Sequence, residues 1–255
     1  MIVLKSSREI ARMHEAGRLV ARALDLVEQM ARPGTSSLQI DAAVENLFRS
    51  AGGELLFKGY GAAPGRPAFP ATICASFNDE VVHGIPDDRK LRPGDLLSVD
   101  VGVRLKNYVG DAAVTVGIQP LSGEARKLMA TCREALEIAI DRIRPGVKWA
   151  QVARAIQRHV EAAGFSVVEA FTGHGIGQQM HEEPQLPNYV GTAADEIVLQ
   201  EGMTFAVEPM INAGGRKVKT RSNGWTAVTA DGSLSAHFEH SVAVTADGAL
   251  VLTAR

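Results

Sequence analysis

The sequence predicts an α+β protein built from two similar halves, and three observations lead to this prediction. Stretches typical of helices and of antiparallel strands follow one another in the same order twice along the chain. Short motifs also recur in order, such as Arg-Pro-Gly at 32–34 and again at 144–146. No linker rich in Ser, Gly or Pro separates the halves. We therefore expect a single domain of residues 1–255, with pseudo-repeat halves at about 1–120 and 121–255.

Each half is predicted to begin with two helices. Ser6 and Glu9 form a capping-box pattern that starts the first helix, and Pro33 with Gly34 ends it. The other helical patterns span residues 38–50, 122–143 and 149–162. Strand-like runs follow the helix pairs, at residues 71–76, 96–101, 112–118, 166–170, 203–207, 225–229 and 241–245.

The recurring motifs also show which acidic residues correspond between the halves. A Leu-x-x-Gly pattern precedes the Val-Asp that ends in Asp100 and the Val-Glu that ends in Glu208. Asp111 and Glu239 each begin an acid-x-x-Val-x-Val pattern. A pseudo-twofold axis between the halves would bring Asp100 opposite Glu208 and Asp111 opposite Glu239. Four carboxylates would then meet at the seam between the halves.

Composition excludes several classes of function. A formal net charge of -2 provides no basic surface for nucleic acid, so no nucleic-acid specificity is expected. No apolar run is long enough to cross a membrane or to direct export, so no membrane contact is expected. Only two cysteines occur, Cys74 and Cys132, too few for a disulfide framework. We expect a cytoplasmic protein.

Five potential metal ligands interrupt apolar or glycine-rich stretches: Asp100, Asp111, His174, Glu208 and Glu239. Each has an ordinary alternative interpretation, since a lone strand carboxylate is often an edge residue and His174 could cap a helix. Four carboxylates cannot share a partly buried space unless cations neutralise them or their pKa values rise. A pair of hard divalent cations is the simpler solution. The sequence therefore predicts a metallohydrolase.

Together these residues resemble one known family along essentially the whole chain. The motifs that carry the resemblance are Asn78-x(4)-His83-Gly84, Asp100-x(10)-Asp111, Gly173-His174-Gly175 leading to His181-Glu182-Glu183-Pro184, Glu208-Pro209 and Phe238-Glu239-His240. They are similar to those of the type I methionine aminopeptidases of the pita-bread metallopeptidase superfamily. The resemblance implies the pita-bread fold, with the metal site at the seam. It also implies removal of the initiator methionine from peptides and nascent proteins that have a small second residue.

The resemblance implies a role for each matching residue. It assigns two divalent ions, Co, Mn or Fe, to shared sets of ligands: one ion to Asp111, His174, Glu208 and Glu239, the other to Asp100, Asp111 and Glu239. Glu208 would also shuttle the proton, His181 would stabilise the developing oxyanion, and His83 would contact the cleaved amide. Outside the family, His83 and His181 would be incidental residues of tight turns.

The resemblance also implies a pocket for the methionine side chain, formed by Tyr60, Phe69, Cys74, Met180 and Trp225. Without the matching positions, each of these would more often be plain core packing. Cys74 is interpreted as a small pocket wall and not as a nucleophile.

Three features depart from the family pattern. About five extra residues follow Tyr60 and Gly61, within the stretch Ala-Ala-Pro-Gly-Arg-Pro. Met180 stands where an aromatic residue is common, and His237 replaces a usual Gln beside Glu239, where it could act as a donor to that ligand. These departures bear on specificity and metal preference.

Two other functions compete with this interpretation. Prolidases and aminopeptidases P share the architecture, but they generally carry an additional N-terminal domain for which the stretch before Asn78 leaves no space. Some pita-bread proteins have lost their ligands and only bind peptides, whereas all five ligands are present here. The expected partners are peptide or nascent-chain substrates, with a transient ribosome contact, and the expected state is a monomer.

Overall fold

Four α-helices and fifteen β-strands make up the computed structural model, which describes residues 1–255. The helices are α1 (Ser7–Met30), α2 (Ser37–Ser50), α3 (Gly123–Arg142) and α4 (Trp149–Ala162), with a short 3₁₀ helix at Ala193–Glu196. The strands are β1 (Glu54–Leu55), β2 (Ile73–Phe77), β3 (Glu80–Val82), β4 (Leu96–Leu105), β5 (Tyr108–Gly117), β6 (Ser166–Val167), β7 (Gly173–Gly175), β8 (Glu182–Leu186), β9 (Thr204–Val207), β10 (Met210–Asn212), β11 (Val218–Thr220), β12 (Ala227–Thr229), β13 (Ser235–His237), β14 (Glu239–Thr245) and β15 (Gly248–Val251).

The helices begin where their capping signals lie. The Ser6 side chain accepts a hydrogen bond from the Glu9 amide, and the Ser6 amide donates to the Glu9 carboxylate at 2.8 Å, so the predicted capping box is confirmed. Ser36 and Gln39 form the same arrangement at the start of α2. The sequence predicted the bounds of α4 without error and those of the other three helices to within a few residues. None of the helices combines the length and the apolar character that crossing a bilayer requires.

One antiparallel sheet contains strands from both halves and positions the site. Its order is β1-β4-β5-β14-β9-β7-β8, with β2 paired to β4 and β15 paired to β14. The pairs β4–β5 and β9–β14 meet where β14 lies beside β5, with Glu239 opposite Ala113. The predicted α+β architecture of helices with antiparallel strands is therefore confirmed.

The helices and the sheet share one apolar core that runs through both halves. Val20 of α1, Val114 of β5 and Val207 of β9 are buried in the same cluster. Trp149, at the start of α4, packs edge-on against Phe205, with ring centroids 5.8 Å apart. Because burial of large apolar side chains stabilises a fold most strongly, this shared core holds the two halves together.

Several strands were missed or shortened by the sequence analysis. β7 consists of Gly-His-Gly and carries no β-branched or aromatic residue, so its composition gives no strand signal. Its glycines are needed for packing, because a Cβ on Gly173 would lie 2.5 Å from the Ala206 carbonyl oxygen. The run predicted at 166–170 forms only the two-residue β6, and the run at 225–229 narrows to β12.

A test of the packing uses two glycines in helices. A Cβ on Gly17 would overlap the Leu252 carbonyl, whereas one on Gly123 would meet nothing within 4 Å. Overpacking costs about 1–3 kcal/mol, so we expect Gly17→Ala to lower the free energy of unfolding by that amount. Gly123→Ala serves as the matched control and should change it by less than about 1 kcal/mol. Urea denaturation measures both, and equal stability of the two variants would contradict the packing.

Candidate metal centre

The five predicted ligands line one cavity of about 670 Å³ at the seam of the sheet. Asp100 lies within β4, Asp111 within β5, His174 within β7, and Glu239 at the start of β14, while Glu208 directly follows β9. These four strands and β9 are neighbours in the sheet order. Side chains of paired strands that face the same side lie close together, which brings residues distant in sequence to one place.

The ligand atoms lie within a few ångströms of one another. Three potential donor atoms lie within 4.8 Å of one another, one each from Asp111, His174 and Glu239. The His174 Nε2 atom is 3.5 Å from Glu208 Oε1 and 3.8 Å from Asp111 Oδ2. Asp100 lines the same cavity, and its charge contributes to raising the pKa of Asp111. All five predicted ligands therefore belong to one cluster.

The carboxylates are held where negative charge is unfavourable. Burial raises the pKa of Asp100 to about 7. Burial, followed by the charges of neighbouring carboxylates, raises the pKa of Asp111, Glu208 and Glu239 well above the usual range. In the absence of cations, burial and mutual repulsion therefore disfavour the ionised form of these groups.

Several oxygens of these carboxylates have no protein partner. Asp100 Oδ1, Asp111 Oδ1 and Glu239 Oε1 are buried and form no hydrogen bond. Unpaired buried oxygens are unfavourable unless another group satisfies them. Carboxylate oxygens with one imidazole nitrogen are a donor set suited to Mn, Fe or Co. The residues present therefore fit divalent metal ions.

His174 is prepared to act as a neutral ligand. Its Nδ1 atom lies 2.9 Å from the Gly175 carbonyl oxygen, which can only accept, so Nδ1 carries the proton. Nε2 therefore presents its lone pair towards Asp111 and Glu208. Burial, with a smaller contribution from His181, lowers the pKa of His174 to about 4. The imidazole is consequently uncharged at neutral pH.

Polar side chains that the sequence analysis missed hold the ligand backbones in place. The Ser241 hydroxyl donates to the Asp111 carbonyl at 2.7 Å and accepts from the Asp111 amide at 3.1 Å. The Asn188 amide donates to the Glu208 carbonyl at 3.1 Å. Both side chains are fully buried, and the only sequence signal is a polar residue in an otherwise apolar stretch.

His83 and His181, to which the resemblance assigns substrate contacts, line the same cavity. His181 Nδ1 lies 3.0 Å from the Tyr60 hydroxyl, and the His181 ring centroid is 4.4 Å from that of His174. Burial lowers the pKa of His181, and burial also lowers the pKa of His83 to about 4. Both rings are therefore neutral, so they can donate a hydrogen bond without adding charge to the cluster.

The predicted pocket residues lie beside the carboxylates. Phe69, Cys74 and Trp225 form one apolar cluster, with Phe57 packed against it. Met180 belongs to a separate cluster with Tyr108 and Ile176 but still lines the cavity. Tyr60 lies at the mouth, 47% exposed, and reaches His181 despite the extra residues that follow it.

Cys74 lies where its thiol stays protonated. Burial raises its pKa well above the usual range, and the charges of Asp100, Asp111 and Glu239 raise it further. A protonated thiol is a poor nucleophile. The environment of Cys74 therefore agrees with its interpretation as a pocket wall.

His237 lines the cavity beside Glu208 and Glu239. Its Nε2 atom is 3.8 Å from an oxygen of Glu208 and 3.8 Å from an oxygen of Glu239, and it has no hydrogen-bond partner. Thr115 fixes its backbone, donating to the His237 carbonyl and accepting from the His237 amide. Burial lowers the pKa of His237 to about 3, so this residue also adds no charge.

The cavity lining also includes Phe171 and Arg66, for which the sequence predicted no role. Phe171 packs edge-on against His83, with ring centroids 5.3 Å apart, and its position just before Gly173 was the available signal. Arg66 lies in the segment of extra residues after Tyr60 and lines the cavity. The sequence alone predicted no role for this segment.

A buried cluster of four carboxylates and neutral histidines at the seam of a two-half α+β fold defines the protein as a metal-dependent hydrolase. The model of metallopeptidase family M24 matches residues 11–246. The chain belongs to this family and is grouped there with the methionine aminopeptidases.

Its relatives are similar over their whole length. The methionine aminopeptidase 1 of Bacillus subtilis is 41% identical over 253 residues, covering 99% of both chains. The methionine aminopeptidase of Clostridium acetobutylicum is 42% identical over 254 residues, also covering 99% of both. The crystal structure of methionine aminopeptidase from Thermotoga maritima matches with a TM-score of 0.94, 41% identity and complete coverage of both chains.

More distant structures share the fold. The prolidase from Pyrococcus furiosus matches with a TM-score of 0.77 at 21% identity, over 99% of this chain and 66% of the prolidase. At this identity the likeness shows the fold alone. The predicted pita-bread fold is thereby confirmed.

Metal binding should stabilise this protein. Because only the folded state assembles the ligands, a cation at about 100 times its Kd adds about 2.7 kcal/mol of stability. For a chain of this size we expect Mn²⁺ added to chelator-treated protein to raise the Tm by about 5–10 °C in calorimetry.

Two variants control this measurement. Asp111→Asn should lose most of the shift, whereas Glu134→Gln, on the exposed face of α3, should retain it. A Tm that does not respond to Mn²⁺, or responds equally in Asp111→Asn, would contradict the assignment of this cluster as a metal site.

Proposed function

We propose that this protein removes the N-terminal methionine from peptides and nascent proteins that carry a small second residue. The main support for this proposal is that Cys74 lies directly opposite Asp100 in the antiparallel pair of strands β2 and β4. Directly paired residues have Cβ atoms about 4.5–5.5 Å apart. An apolar pocket wall therefore adjoins a carboxylate of the cluster, as cleavage next to an apolar side chain requires.

The ligands divide between two ions in this proposal. Asp111, His174, Glu208 and Glu239 would hold one divalent ion, and Asp100 with Asp111 and Glu239 would hold the other. Bound ions supply charge that polarises the scissile carbonyl and makes water more acidic. The unpaired buried oxygens of Asp100, Asp111 and Glu239 support this division. The donor set accepts Mn, Fe or Co, and availability decides which is used.

Glu208 is proposed to move the proton during hydrolysis. Its carboxylate lines the cavity next to His174, where one of its oxygens can accept a proton from water. It would accept a proton from the attacking water and deliver that proton to the departing amide nitrogen. The hydrogen bond that its backbone carbonyl accepts from Asn188 keeps it positioned for both transfers.

His181 and His83 are proposed to contact the substrate. His181, which adjoins His174, would donate to the carbonyl oxygen as negative charge develops on it. His83, which faces Trp225 at a ring distance of 6.3 Å, would contact the amide that is cleaved. Both rings are neutral hydrogen-bond donors. Their hydrogen bonds strengthen as negative charge develops, so they stabilise the transition state more than the bound substrate.

The proposed methionine pocket is formed by Tyr60, Phe69, Cys74, Met180 and Trp225. Its apolar walls suit a thioether side chain, since such surfaces gain free energy when removed from water. Residues 1–255 would act as one catalytic domain, because each half contributes ligands to the cluster. A cytoplasmic location, a transient ribosome contact and a monomeric state stay predictions of the resemblance.

Peptide cleavage tests the proposed substrate. We expect the Mn²⁺-loaded protein to cleave Met-Ala-Ser, to cleave Met-Leu-Ser at least about 100-fold less efficiently, and to leave Ala-Pro-Ser intact. Chromatographic detection of free methionine measures each rate. Preferential cleavage before proline would favour a prolidase-like enzyme, and no cleavage of any peptide would favour a binding module.

A second test separates catalysis from metal binding. We expect His181→Ala to lower kcat for Met-Ala-Ser by about 10²–10³, because a donor to the developing oxyanion is lost. Metal content, measured by mass spectrometry, should be unchanged. His159→Ala, which alters a histidine on α4 paired with Glu134, is the matched control and should keep full turnover. Loss of metal in His181→Ala would show that the residue has a different role.

A further inference from the structure

Arg66 is the one permanently charged cation among the residues that line the cavity. The other ionisable lining residues are carboxylates, histidines, Cys74 and Tyr60. Arg66 lies on the segment that contains the extra residues after Tyr60, and none of the roles proposed above uses it. A cation at this position faces a cavity that is otherwise acidic.

The Arg66 side chain is held in a defined orientation. Its Nε atom donates to the Gly61 carbonyl at 3.0 Å, and its guanidinium lies over the Trp225 ring, 4.4 Å from the centroid. The Trp225 indole in turn donates to the Pro67 carbonyl at 2.8 Å. Ala63 and Arg66 close the turn with two backbone hydrogen bonds, 3.0 and 2.9 Å long. These contacts hold the loop that contains Arg66 and the Trp225 ring in position against each other.

This stacking leaves the terminal nitrogens of Arg66 available. The bond from Nε to Gly61 is its one side-chain hydrogen bond, and no carboxylate forms an ion pair with it. The side chain is exposed at the cavity mouth. Its charge nevertheless contributes to lowering the pKa of His83, so its field reaches the reaction site.

The position of Arg66 determines which part of a substrate it meets. Asp111, His174, Glu208 and Glu239 are buried inside the cavity and Asp100 is half-buried, whereas Arg66 and Tyr60 are exposed at its mouth. A peptide whose first residue occupies the base must leave through the mouth. The residues that follow the cleaved bond therefore pass Arg66.

We propose that Arg66 binds a carboxylate on the downstream part of the substrate. The carboxylate belongs either to an acidic third or fourth residue or to the C-terminus of a short peptide. This inference rests on the proposed aminopeptidase activity. The planar guanidinium offers two parallel donors that match a carboxylate, which a lysine would not provide. Because the pair is exposed, we expect a gain in kcat/KM of roughly three- to fivefold.

Amidated peptides provide the test with the full-length, Mn²⁺-loaded protein. Met-Ala-Glu-amide should be cleaved roughly three- to fivefold more efficiently than Met-Ala-Gln-amide, and the ratio should fall at high salt. In Arg66→Gln the ratio should approach one. The matched control Arg142→Gln, an exposed arginine at the end of α3, should keep the wild-type ratio.

A second pair of peptides distinguishes the two sources of the carboxylate. Faster cleavage of Met-Ala-Ser than of Met-Ala-Ser-amide, lost in Arg66→Gln, would assign binding of the C-terminus. Arg66→Lys keeps the charge but not the two parallel donors, so it should give intermediate ratios. It also provides the comparison if Arg66→Gln folds poorly.

The two proposals fail in different ways. Equal cleavage within both peptide pairs by the wild-type protein, or ratios that Arg66→Gln leaves unchanged, would overturn the role of Arg66. In that case the arginine only stacks on Trp225. Failure of the aminopeptidase proposal would instead appear as no cleavage of Met-Ala-Gln-amide by the wild-type protein.

Discussion

The structure depends on one electrostatic constraint: four carboxylates lie together in a largely buried cavity, and no lysine or arginine forms an ion pair with them. Burial raises the pKa of each of them, and three of their oxygens have no hydrogen-bond partner. Opposite charge is the way to stabilise them in their ionised form. Membership of metallopeptidase family M24 identifies the missing charge as divalent metal.

The rest of the fold positions this cluster and keeps the neighbouring histidines uncharged. The junction of β5 with β14 brings the ligands of the two halves together, and Ser241 fixes the backbone of Asp111 at that junction. His174, His83 and His237 are held neutral by burial. These histidines therefore lie beside the carboxylates without adding positive charge that would compete with a metal ion.

Local signals predicted much of this molecule, and long-range packing determined the rest. The capping box at Ser6 and the bounds of α4 follow from neighbouring residues, and the repeated motifs predicted the seam. The strand β7 could not be predicted, because its glycines are required by backbone from β8 and β9. Ser241 and Arg66 act through contacts with residues distant in sequence, which one sequence does not reveal.

An anomalous difference map from crystals grown with Mn²⁺ would show whether the carboxylate cluster binds two metal ions. We expect two peaks inside the cavity, one among Asp111, His174, Glu208 and Glu239 and one among Asp100, Asp111 and Glu239. A map with no manganese in the cavity, and with the four carboxylates unchanged in position, would contradict it.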